Sequence, residues 1–218
     1  MENGKFRKYH SKEFYNEILF ESDSFVVIPT LGSLVEGWLL IVPKKEYLSL
    51  QCIDNDSLLI ELEKFSKAVG EIIVKEFGYV TMFEHGAVQP ERKIGCGVDF
   101  AHLHLVPINF DLIQGLNRFL HIEYEWKNVS GLKNAISSTK KGVEYLFVSD
   151  YLGNSYVTQN EIFSSQLFRK VIASYLNVPD KFDWKQFHEF ENISKTISRF
   201  KKYHSSLKLN ELEHESTR

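Results

Sequence analysis

The sequence predicts an α+β fold, and three observations carry that reading. Two runs rich in β-branched and aromatic residues, SFVVIPT (24–30) and GWLLIVPKK (37–45), are separated only by the turn-rich LGSLVEG. The segment EYLFVSDYLGNSYVTQ (144–159) reads as a hairpin that turns at LGN. Between these lies one long stretch of helical period, DNDSLLIELEKFSKAVGEIIVKEFG (54–78). Adjacent hairpins mixed with helices point to α+β rather than to a doubly wound parallel sheet.

Each element has a local reason. Residues 1–20 are a polar lead with a short helical stretch. Pro29 and Pro43 close the first two strands, because proline cannot donate to a ladder. In the long helix Leu58, Leu62, Phe65, Val69, Ile72 and Ile73 recur at helical spacing; residues 54–57 offer N-caps and Gly78 a stop. YVTMFEH (79–85) reads as a strand, GAVQPERKIGCG (86–97) as a polar loop and VDFAHLHLVPI (98–108) as a strand. DLIQGLNRFL (111–120), SSQLFRKVIASYLNVP (164–179) and FENISKTISRFKKYHSSL (190–207) read as helices. The tail from 206 to 218 reads as disordered.

A chain of 218 residues is long enough to bury a core without staples. A net charge of −3 gives no global pull toward nucleic acid or membrane. The two cysteines, Cys52 and Cys96, make no disulfide framework and no CxxC pair, which suits a reducing cytoplasm. The amino terminus has no signal-peptide core, and no run approaches the roughly 18 apolar residues of a membrane helix. The expectation is a cytoplasmic protein without a membrane partner.

The segment GCGVDFAHLHLVPINF (95–110) sets two histidines, His102 and His104, one residue apart in an apolar run. On a strand, Phe100, His102, His104 and Val106 share one face. Ala101, Leu103 and Leu105 share the other, which is apolar and suited to pack on a helix. The two histidine backbones stand roughly 7 Å apart, so both rings can reach one phosphate-sized group. Imidazole is the side chain best suited to nucleophilic or acid–base work near neutral pH. The spacing also fits a metal pair, with His85 or Glu84 as a third ligand, or a purely structural role.

FAHLHLVP resembles the motif of the histidine-triad (HIT) superfamily, in which three histidines alternate with apolar residues. VVIPTLGSLVEGWLLIVPKKEYLSL resembles that superfamily's strand–loop–strand segment. FEHG followed by GCGVD resembles an extended bacterial branch, and SSQLFRKVIASYLNVPDKFDWKQF is similar to the C-terminal extension of its longer members. The resemblance runs in order over roughly residues 20 to 200. It implies a HIT-like core over 21–125, with an antiparallel sheet and flanking helices, and an α/β extension over 126–205 packed on that core. It also implies nucleotide chemistry at an α-phosphate, with His102 as the attacking nucleophile and His104 assisting. Substrates would be dinucleoside polyphosphates, nucleoside phosphoramidates or nucleotide-linked sugars. No metal or other cofactor is obligatory, and a homodimer is compatible.

The chain departs from the motif at Phe100, which stands where the first histidine belongs and has no hydrogen-bonding side chain. His85, Glu84 and Asp99 are candidate substitutes in supporting His102; Asp99 ranks low because alternation turns it to the other face. Phosphate contacts are expected from His85, Glu84, the loop glycines Gly95 and Gly97, and Gln166 and Arg169, three apart on one helix. Cys96 reads as packing, and Lys44 and Lys45 as a solvated strand end. RFKKYH (199–204) is basic with aromatics, but at this net charge a nucleic-acid partner is not expected.

Overall fold

In the computed structural model, β2 (Phe25–Pro29) and β3 (Leu39–Pro43) pair antiparallel in the register Val27 to Ile41. The structure describes residues 13–87, 100–160 and 163–204. β1 (Phe20–Glu21) flanks β2, and the order across the sheet is β1-β2-β3-β5-β4-β7-β8-β6, every neighbouring pair antiparallel. The central strands are β4 (Thr81–Gly86) and β5 (Leu103–Val106). β7 (Tyr145–Ser149) pairs with β4, and β8 (Ser155–Gln159) and the short β6 (Lys127–Val129) complete the sheet. Residues beyond 126 therefore continue the same sheet rather than only covering it. β1 and β6, two and three residues long, are too short to show a period in sequence.

Helices cover both faces. α1 (Asp56–Phe77) forms where its apolar stripe predicts, with the Asn55 side chain accepting from the Ser57 amide at 2.8 Å and Gly78 closing it in the left-handed region, φ 87°. It packs Leu59, Leu62, Phe65, Val69 and Ile73 against Leu103, Leu105, Tyr145 and Phe147, together with α3 (Leu132–Ser138) and α5 (Phe190–Phe200). The apolar face expected for Ala101, Leu103 and Leu105 is thus the α1 face. On the opposite face, α2 (Leu112–Leu120) and α4 (Leu167–Tyr175) bury Leu116, Phe168, Val171 and Ile172 against Trp38, Phe83, Val106, Leu146 and Val148. Burying strand residues on both faces explains why β2, β5 and β7 read as continuous apolar runs rather than alternations.

Two expectations shift. The strand expected over 98–108 is regular only from Leu103, so His102 lies just ahead of β5. Gln166 is not on the α4 face with Arg169: it precedes the helix in the left-handed region, φ 55°. No helix among the described residues is long and apolar enough to cross a membrane.

Candidate functional site

The histidines lie on the α4 face of the sheet. His104 pairs across β5 with Leu40 of β3 and Phe83 of β4. Its ring stacks on Phe83 at 4.4 Å and meets the His102 ring at 4.7 Å, nearly perpendicular. His104 is 2% exposed and His102 9%.

Hydrogen bonding fixes which nitrogen of each ring faces the site. The indole nitrogen of Trp38 donates to His104 Nδ1 at 3.0 Å. An indole N–H can only donate, so Nδ1 must be the acceptor, and neutral His104 carries its proton on Nε2. His102 Nδ1 lies 2.7 Å from the main-chain oxygen of Phe100. A carbonyl can only accept, so Nδ1 carries the proton and Nε2 keeps the lone pair. One ring thus offers a lone pair and its neighbour an N–H. Burial pushes both rings below the ordinary histidine pKa near 6.5. For His102 the bond to the Phe100 carbonyl opposes that shift, and the charge His85 can carry adds to it. His104 is held further down by His102, Arg169 and His85. Burial thus favours the neutral form of both rings.

The partner of His102 Nδ1 at position 100 is thus a main-chain oxygen. The Phe100 side chain takes no part in that bond.

Strand alternation sorts the other candidates. Phe83 and His85 point to the histidine face; Met82 and Glu84 point to the α1 face. Glu84 is therefore not brought to the histidines. Its carboxylate accepts from the Leu50 amide at 2.9 Å and from the Tyr145 hydroxyl, and burial raises its pKa to about 7. Tyr145 lies directly over Gly86, where a Cβ would come within 1.9 Å of its ring, which is why glycine follows FEH. His85 does reach the site. Continuing the Phe83–His104 register by two residues sets it opposite His102.

Arg169, on the first turn of α4, is buried with its guanidinium 4.9 Å above the Trp38 ring. Nε donates to the Phe182 oxygen at 2.8 Å, and Nη2 to the oxygen of Gly32, held close at φ 72°. The Gln166 amide nitrogen donates to Asp183 at 3.2 Å. Gly95, Gly97, Cys96 and Asp99 lie outside the described residues. Among the described residues no group of three or more His, Cys, Asp and Glu side chains is placed to hold a metal ion. On α5 and the turn after it, Arg199 and Lys202 are already engaged by Glu36 and Glu76.

Trp38, Phe83 and Glu144 were not singled out in the sequence. Only Trp38 carried a signal, an indole N–H inside an apolar run that needs a buried acceptor.

No protein-family model matches the chain. Among curated proteins it is similar to zinc finger CCCH domain-containing protein 64 of Arabidopsis thaliana, 24% identical over 201 residues. That match covers 85% of this chain and 32% of the relative, so the chain spans about a third of the relative's length. Among solved structures it is similar to a Hit-like protein involved in cell-cycle regulation from Bartonella henselae, solved with an unknown ligand. Identity is 20% and the TM-score 0.35, over 41% of this chain and 64% of that one.

Proposed function

We propose that this chain is a nucleotide-handling protein of the histidine-triad type, acting at the α-phosphate of a nucleoside phosphate. The observation that carries the reading is the pair of complementary tautomers, an Nε2 lone pair on His102 beside an Nε2–H on His104. In the first step the His102 lone pair forms a bond to the α-phosphorus. The bond to the leaving group breaks, and its electron pair departs with that group, whose oxygen or nitrogen accepts a hydrogen bond from His104 Nε2–H and takes its proton from water. In the second, water or another hydroxyl bonds to phosphorus and releases its proton to solvent, the P–N bond breaks and its pair returns to His102. A covalent route splits one displacement into two easier ones. Dinucleoside polyphosphates, nucleoside phosphoramidates and nucleotide-linked sugars all present such a phosphorus.

The test is a search for the intermediate. Labelled adenylyl, guanylyl and uridylyl substrates are mixed with the protein, quenched in alkali and read by intact mass, with His102→Ala alongside. Label on the wild type and none on the variant is the expected result. Phe100 favours a second reading, a nucleotide-binding scaffold that no longer turns over. Nucleotide-dependent melting shifts with no label and no product from any substrate would select it.

A further inference from the structure

His85 is the unexplained group on the histidine face. Its side chain is 4% exposed, and neither ring nitrogen has a hydrogen-bond partner among the described residues. Leaving a buried polar group so is costly, and a ligand that bonds to it can remove that cost. Its surroundings are specific. Phe163 meets the ring edge-on at 5.6 Å. Glu144, just before β7 and 1% exposed, places Oε2 3.8 Å from His85 Nε2, while the same oxygen accepts from the Phe163 amide at 3.1 Å. On its other side the β4–β5 register, continued past Phe83–His104, leads to His102, whose ring feels the charge His85 can carry. From the start of β7 through β4 to the residue just ahead of β5, the order is therefore carboxylate, imidazole, imidazole.

A phosphoryl group entering this face brings negative charge into a buried place. His102 must stay neutral to attack, and Trp38 uses the Nδ1 lone pair of His104. Arg169 is tied to two main-chain oxygens. Among the described residues, the groups near His85 that titrate or carry charge are Glu144 ahead of β7, His102 just before β5 and His104 on it, with Arg169 of α4 acting on His104. A carboxylate, that of Glu144, stands behind the His85 ring. Resting on the reading above, we propose that His85 and Glu144 form a latent ion pair that binds the substrate's phosphoryl oxygens. His85 takes up one proton as the anion arrives, its Nδ1–H donates to a phosphoryl oxygen, and Glu144 balances the Nε2 side. His85 is then a substrate-binding residue and Glu144 a positioning residue.

The test is titration calorimetry with nucleoside 5′-methylphosphate diesters of adenosine, guanosine and uridine. Neither their phosphate nor their bases change charge appreciably between about pH 6 and 8, so any proton taken up there belongs to the protein. Repeating the titration in buffers of different ionisation enthalpy counts that proton. Wild type should bind at least one diester with net proton uptake, its affinity falling by up to about tenfold per pH unit as the pH rises. His85→Gln should abolish the uptake and the pH slope, Glu144→Gln should weaken both, and His102→Gln should keep both. Circular dichroism and melting establish that each variant is folded; if His85→Gln is not, Glu144→Gln carries the test. Binding without proton uptake, or uptake unchanged in the folded variants, overturns the ion pair alone. Binding of no diester by the wild type overturns the nucleotide reading with it.

Discussion

Glu84 and His85 are neighbours in the chain and both side chains are buried, yet the sheet treats them in opposite ways. Glu84 turns to the α1 face, where the Leu50 amide and Tyr145 hydroxyl both donate to it. His85 turns to the α4 face, where its nitrogens find no partner among the described residues. A buried polar group with its bonds made is offset within the fold; one with its bonds open calls for an explanation. Both faces are packed cores, and the treatment of these two polar side chains sets them apart.

The two faces also respond to acid in opposite directions. The folded pKa of Glu84 is raised, so its contribution to stability is full below about 4.5 and is lost as pH rises through about 7. The folded values of His102 and His104 are lowered, so their contribution is present above 6.5 and is lost as pH falls through those lower values.

The strongest way to break the comparison is His102→Ala. Turnover and covalent label should fall to background while the melting temperature stays close to wild type; a large melting loss with activity retained would make His102 a structural residue instead. Trp38→Phe comes next. It removes the donor that sets the His104 tautomer, and kcat should fall about 100-fold with a smaller change in KM. The part of the indole volume left empty and the His104 nitrogen left without its donor should also cost about 1–3 kcal/mol in chemical denaturation. Glu84→Gln, on the other face, should leave kcat alone and flatten the decline in stability between pH 5 and 7.5. The gain near neutral pH is on the order of 3 kcal/mol at most. The smallest effect belongs to Phe100→Ala, which keeps the carbonyl that His102 uses; kcat should stay within about threefold, and a loss near that of Trp38→Phe would show that the side chain matters.

Much of the fold was legible because its signals are local. The stripe of α1, its Gly78 stop and the LGN turn need only neighbouring residues to be read. The HxH pair was legible for the same reason: the period of two placed both rings on one face. The opposite facing of Glu84 and His85 follows from that period too, yet FEHG had been read as a unit. Glu144 is out of sequence reach, because it meets His85 through the pairing of β4 with β7, some 60 residues apart in the chain. Gln166 missed its helix because α4 begins one residue later.

The Phe100 carbonyl has an evolutionary consequence. Side chains drift under mutation, but every residue brings the same peptide oxygen, so any amino acid at position 100 that keeps this backbone path inherits the acceptor for His102. A reading confined to side chains therefore overlooks an acceptor that the main chain supplies whatever residue occupies the position.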